Sequence, residues 1–188
     1  WIAGKRKYLT PELAALPQIV LPGERAFLAS LDGLPETGGE RVDDSATCTI
    51  LYTSGTTGLP KGVMNSHACY QAVGRDTVVA LRLKREDRTM VFLPLFHTNP
   101  QMYAVMSALT VGSSLVLRPR FSASSFFEDA RRFGATGFTF VGTVMSILAI
   151  RHPEPRRDHG LRFAIGGGTP TAIWEAMQQR FGFLIHEL

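Results

Sequence analysis

Beyond residue 45 the apolar and polar positions settle into a regular alternation. Short apolar runs bounded by Gly, Pro, Asp or Ser predict strands over 47–53, 89–93, 114–117, 138–141, 161–165 and 183–186. Between them, apolar residues recur three and four apart and predict helices over 66–83, 101–110, 122–133, 144–151 and 170–180. Ser66 and Ser122 stand where N-caps belong, and Phe126, Phe127 and Ala130 fall on one face of a helix. Strands alternating with helices of this length predict an α/β fold, a mostly parallel sheet covered by helices. The first 45 residues are less regular, with a short strand over 18–21, helical spacing over 24–31 and a Gly/Pro/acid-rich connector over 32–44. Two parts result: an N-terminal segment with its connector (1–45) and an α/β domain (46–188).

Composition narrows the function without naming it. The 188 residues are 45% hydrophobic, enough for one sizeable core. Net charge is +4, and the basic residues are interleaved with acids, as in Arg82, Lys84, Arg85, Glu86, Asp87 and Arg88. That is a solvated surface and not a stripe for nucleic acid. The longest apolar stretch, 138–150, contains Thr139, Gly142, Thr143 and Ser146 and falls short of the ~20 apolar residues a span requires. Only Cys48 and Cys69 are present, far apart, and read as small buried hydrophobes needing no disulfide. With no signal-peptide pattern at the N-terminus, the expected location is the cytoplasm. His152 and His159, in the polar stretch HPEPRRDHG, read as exposed loop residues rather than ligands.

The chemistry concentrates in YTSGTTGLPKGV, residues 52–63. Glycines let the backbone approach a ligand closely, while backbone N–H groups, hydroxyls and a lysine suit phosphate oxygens. The Walker pattern does not fit: Pro60 stands five positions after Gly55, and Gly62 follows Lys61 where a magnesium-binding hydroxyl would be needed. The plain alternative is a Gly/Thr-rich hairpin turn with a solvated lysine.

SGTTGLPKG resembles the signature phosphate loop of the adenylate-forming superfamily, which includes acyl-CoA synthetases, nonribosomal peptide adenylation domains and luciferases. His67 sits where that family opens its next helix with a histidine. Phe96-His97 in LPLFHTNPQ resembles the aromatic segment beside the acyl pocket. Gly166-Gly167-Gly168-Thr169-Pro170 resembles the Gly-rich turn beside the adenine, with Gly168 where the family usually places alanine or another small residue. The wording of PLFHTNPQ and RFSASSFFEDARRFGAT is similar to ligases of the crotonobetaine/carnitine type. The likeness covers roughly 46–188 and implies part of the family's large N-terminal domain.

On this resemblance, ATP would be held by Thr53, Ser54, Gly55, Thr56, Thr57, Gly58 and Lys61 at its phosphates, and by Gly167, Gly168, Thr169 and Pro170 at its base. Thr56 would lie near magnesium, and Thr56 and Lys61 would be catalytic, stabilising charge as a carboxylate attacks the α-phosphate. Phe96, His97, Val141, Gly142 and Gly166 would wall the acyl pocket, with Asn99 and Gln101 as further polar candidates. For Phe96-His97 the plain reading is a core phenylalanine and a satisfied histidine, and for the glycines a tight strand-to-helix turn.

The expected activity is AMP-forming acyl-CoA ligation, with a small carboxylic acid, ATP and coenzyme A as partners, Mg2+ as metal, and oligomeric state open. Two alternatives stand beside it: an adenylation domain feeding a carrier protein, and a non-catalytic nucleotide-binding module. The chain begins at Trp1 and ends on the apolar run GFLIHEL, so a piece of a longer enzyme is expected. The family's Tyr-Gly-x-Thr-Glu motif, its ribose aspartate and its C-terminal lid lysine would lie further on. Alone, this piece is expected to be inactive.

Overall fold

The computed structural model describes residues 41–53 and 59–187. All of these but Arg41 belong to one compact unit, Val42–Leu188. The strand and helix expected over 18–21 and 24–31 lie outside the described residues.

Strand β1 (Thr47–Thr53) pairs antiparallel with β2 (Lys61–Ser66). The sequence pattern gave no hint of β2, because Lys61, Gly62, Asn65 and Ser66 leave only Val63-Met64 as an apolar signal. Its partner makes it a strand: Ile50 lies opposite Met64, and Thr53 opposite Lys61. Helix α1 (His67–Leu81) follows at once, and Ser66 caps it by accepting the Cys69 N–H at 3.2 Å. It stops short of the expected residue 83 because Arg82 turns left-handed, with φ +49°.

The main sheet is all-parallel: β3 (Arg88–Val91), β4 (Ser114–Leu117), β5 (Gly137–Val141), β6 (Phe163–Gly167) and β7 (Leu184–Glu187), in the order β4-β3-β5-β6-β7. A π-helical turn (Asn99–Val105) and α2 (Met106–Val111) join β3 to β4. Helices α3 (Phe126–Phe133), α4 (Gly142–Arg151) and α5 (Thr171–Phe181) make the remaining crossovers. Two expectations need correction. The helix expected over 101–110 opens as the π-turn, and the one expected from Ser122 begins only at Phe126. Ser122 instead accepts the Ser125 N–H at 3.4 Å and closes the turn ahead of the helix.

Strand alternation divides the side chains between two faces. Phe138, Phe140, Phe183 and Ile185 pack against α3, α4 and α5, together with Phe126, Phe127, Met145, Leu148 and Phe181. Phe163 and Ile165 face the other way, onto Leu81, Leu83, Val78 and Tyr103. Pairing along the sheet is uneven. Strand β5 pairs with β6 from Gly137↔Phe163 to Val141↔Gly167. Between β3 and β5 the register holds only Thr89↔Gly137 and Met90↔Phe138.

Two other readings change. Cys48 is exposed, its thiol donating to the Asn65 carbonyl, because strand β1 lies in a two-stranded ribbon rather than in the core. His152 and His159 are half-buried on the ring of Phe127, at centroid distances of 4.9 Å each. Burial pushes the His159 imidazole below its ordinary value, against a backbone hydrogen bond and Asp158 acting upward.

At the amino ends of the strands, the buried carboxylate of Asp87 gathers four segments. It accepts the Lys84 N–H at 2.7 Å, the Thr136 hydroxyl at 2.8 Å and Arg162 Nε at 3.1 Å, and forms an ion pair with Arg162. Arg162 also donates to the carbonyls of Leu81 (2.8 Å) and Arg82 (3.2 Å) at the end of α1. Burial alone would raise the Asp87 carboxyl, but the bonds from Arg162, Lys84 and Thr136 outweigh it and hold it below the usual range. Asp87→Ala is expected to destabilise the chain by about 3 kcal/mol at neutral pH, measured by urea unfolding. Because the folded-state value is depressed, the contribution is full above the ordinary carboxylate pKa and is lost as pH falls through the folded value. The wild-type and mutant curves should therefore begin to converge below about pH 4.

Candidate active site

From β3 the chain moves to β4 on one side, and the strands that follow, from β5 onward, add on the other side. The sheet therefore has a topological switch point between β3 and β5, where crevices form beyond the carboxyl ends of the strands. A cleft of about 330 Å³ lies there, lined by Leu93, His97, Thr98, Asn99 and Val141. A second, of about 260 Å³, shares His97 and Thr98 and is closed by Phe96 and by Ile50, Leu51 and Tyr52 of β1. Strand β1 of the hairpin thus meets the Phe96-His97 segment, and the larger cleft lies in the size range of small-molecule sites.

Phe96-His97 occupies a tight turn, with the His97 N–H donating to the Pro94 carbonyl at 3.0 Å. Phe96 is 70% exposed, which excludes the core reading, and its ring lies 4.5 Å from that of His97. Asn99 and Gln101 are not loose loop amides. Asn99 Nδ2 donates to the Phe140 carbonyl at 2.8 Å, extending the short β3–β5 seam by a side chain. Gln101 accepts the Tyr70 hydroxyl at 2.6 Å.

The glycine segment divides differently from its expected form. Gly166 and Gly167 belong to β6, only Gly168 and Thr169 make the turn, and Pro170 sits at the N-cap, one residue before α5. Gly168 has φ +82°, so any side chain there would be strained. The Gly142 backbone lies against this turn, and a Cβ added at Gly142 would fall 1.8 Å from the Gly168 carbonyl oxygen. Val141 lines the switch-point cleft and Gly142 touches the turn, so cleft and turn are continuous along the carboxyl edge. Gly167, by contrast, would carry a Cβ into open space.

Sequence reading missed Glu187. Its carboxylate accepts the Thr169 N–H at 2.6 Å and ties the end of β7 to the turn. A lone acid at a strand end gives no motif to find. Beside it, His186 is pushed below its ordinary value by burial and by the charge of Arg162.

At the hairpin, Thr53 and Lys61 face each other across the last paired rung. The Lys61 side chain is exposed. Ser54, Gly55, Thr56, Thr57 and Gly58 lie outside the described residues. Among the described residues, no three His, Cys, Asp or Glu side chains gather as a metal site. The magnesium assignment therefore rests on Thr56 alone.

A family model for AMP-binding enzymes matches residues 11–188. The chain belongs to the AMP-binding enzyme family. It is 34% identical over 157 residues to long-chain fatty acid transport protein 2 of Rattus norvegicus, covering 81% of this chain and 25% of that protein. With long-chain fatty acid transport protein 1 of Homo sapiens the identity is 37% over 161 residues, covering 85% and 24%. This AMP-binding chain thus spans about a quarter of the length of those relatives. Among solved structures, O-succinylbenzoate coenzyme A synthetase of Bacillus subtilis, in complex with ATP and magnesium, superposes with a TM-score of 0.74 at 25% identity. That match covers 96% of this chain and 37% of the other. The same enzyme with AMP gives 0.67 at 29% identity, over 76% and 29%. No described helix is long and apolar enough to cross a membrane.

The two glycines at the turn should respond in opposite ways to the same added methyl. Gly142→Ala must push β5 or the turn aside and is expected to lose about 1–3 kcal/mol in urea unfolding. Gly167→Ala should stay within about 0.5 kcal/mol of wild type.

Proposed function

We propose that the protein carrying this chain is an AMP-forming acyl-CoA ligase, joining a carboxylic acid to ATP and then to coenzyme A. The observation that carries this reading is the continuity of the His97–Val141 cleft with the hairpin end on one side and the Gly168 turn on the other. A two-part substrate needs such a layout, with an acid held between a phosphate-binding loop and a base-binding turn. In the first step a carboxylate oxygen bonds to the α-phosphorus as the bond to pyrophosphate breaks. In the second the thiol sulfur bonds to the acyl carbon, AMP leaves with its oxygen, and the thiol proton passes to solvent.

On this proposal Lys61 and the hydroxyls of Thr53, Ser54, Thr56 and Thr57, with the N–H groups of Gly55 and Gly58, offset the charge of the β- and γ-phosphates. Thr56 would help hold magnesium, which would supply further positive charge at the phosphates. Gly167 and Gly168 leave bare backbone for the base, flanked by Thr169 and Pro170, in a turn held in shape by Glu187. Phe96, His97, Val141, Gly142 and Gly166 wall the acid. The solved neighbours named as coenzyme A synthetases support the acceptor. The fatty acid transport relatives support a link to fatty acid metabolism. The proposal includes a crotonobetaine/carnitine type, on the wording of PLFHTNPQ and RFSASSFFEDARRFGAT, and a cytoplasmic location.

Two substitutions in the full-length protein test it. Lys61→Ala should slow single-turnover acyl-AMP formation by about 10²–10³ with little change in acid binding, and a rate equal to wild type would remove the phosphate-loop assignment. His97→Ala should reorder a panel of short, branched and aromatic acids in kcat/KM while ATP affinity holds. One methylene of space is worth about 1–3 kcal/mol of discrimination. An unchanged order with weakened ATP binding would move His97 to the nucleotide side.

A further inference from the structure

Asn99 opens the π-helical turn, lines the switch-point cleft and is half-buried. Its Nδ2 donates to the Phe140 carbonyl at 2.8 Å. That acceptor lies where the flanks of the cleft meet. Phe140 precedes Val141, which lines the cleft from β5. The Phe140 carbonyl oxygen is also so close to Gly166 of β6 that a Cβ there would fall 2.1 Å from it. One amide thus ties the flank formed by His97, Thr98 and Asn99 to the flank formed by β5 and β6.

The tie sits where the ladder has ended. Strands β3 and β5 share rungs at Thr89↔Gly137 and Met90↔Phe138, so Phe140 lies beyond the last of them. On its other side the π-turn is held to α1, through the Tyr70 hydroxyl bonded to Gln101 at 2.6 Å. Removing the Asn99 bond leaves that hold in place and frees the turn from β5. A carbonyl only accepts, so the amide nitrogen faces Phe140 and Oδ1 is left buried without a partner. A buried orphan acceptor is a standing cost, which a leucine of similar shape would not carry. What asparagine supplies in return is a directional bond that fixes the spacing across the cleft.

Resting on the ligase reading, we propose that Asn99 is a positioning residue that sets the width of the acid site. Its bond to Phe140 holds the His97 flank at a fixed distance from Val141 and Gly166. Flanks joined by a single side-chain bond leave a narrow slot, and the cleft of about 330 Å³ is near the lower limit for ligand sites. The substrate class is then a carboxylic acid of small cross-section, unbranched beside the carboxyl group.

The test is acid-dependent ATP–pyrophosphate exchange by the full-length protein. Straight-chain acids are each paired with the 2-methyl acid of the same chain length. In wild type the straight acid should exceed its branched partner in kcat/KM by about ten-fold or more, the worth of one methyl group in a fitted pocket. Asn99→Leu should bring that ratio close to one by raising KM for the straight acid and lowering it for the branched one. For the same variant, kcat with the straight acid and KM for ATP should stay within about two-fold of wild type. Asn99→Asp, which sets a carboxylate against the carbonyl, should also collapse the ratio. Asn99→His, whose Nδ1–H takes the place of the amide donor, should restore it. Equal use of the paired acids by wild type, or a ratio unchanged in Asn99→Leu and Asn99→Asp, overturns the inference and leaves the ligase reading intact. An equal loss of kcat with every acid also overturns it, by making Asn99 structural, and so does a collapsed ratio in Asn99→His. Exchange with no acid at all in wild type removes the ligase reading, and the inference with it.

Discussion

The positions of β3, β5 and β6 at the carboxyl edge depend on the ion pair between Asp87 and Arg162 at the opposite end of the sheet. One buried carboxylate meets the entry to β3, the entry to β5 and the residue before β6, while its guanidinium partner closes the last carbonyls of α1. Burying a charge is costly unless it is paired and fully hydrogen-bonded, and this one is both. The arrangement fixes the relative height of three parallel strands, and with it where their far ends release the chain. A carboxyl-edge site on loops is only as well placed as the strands beneath it.

At that edge the controlling factor is the closeness of backbones rather than a network of charges. Gly142 abuts the Gly168 carbonyl, and a Cβ at Gly166 would sit 2.1 Å from the Phe140 carbonyl oxygen. Side chains are excluded at Gly142 and Gly166, so the floor beside them is bare peptide. The polar chemistry is carried at its margins, by His97 and Asn99 on one flank and Glu187 on the other. A surface of this kind suits a flat ligand in van der Waals contact, with specificity supplied at the rim.

Much of this was legible in the sequence, and the gaps have physical causes. The parallel sheet followed from period and element length, and Ser66 as a cap followed from its own chemistry. Strand β2 was not legible because its stability comes from β1 across the hairpin, a pairing that Gly62 and Asn65 do not advertise. The π-turn was hidden because Asn99 to Val105 has ordinary helical spacing, and the wider turn shows only in the backbone. Phe96, His97 and the triple glycine were found as motifs, whereas Glu187 carries no local signature. His152 and His159 read as solvated because their loop is polar, and the Phe127 ring that draws them in lies far away in sequence.

The narrow register between β3 and β5 has a further consequence. Two rungs and the Asn99 side chain join the β4-β3 half of the sheet to the β5-β6-β7 half toward the carboxyl edge, while Asp87, bonded to Thr136 and Arg162, ties these two plates at the amino end. The carboxyl end is the less tied part of the joint between the plates. The crevice lies directly over it. A ligand seated there spans both plates and acts as a cross-tie, so its binding energy is also cohesion for the fold.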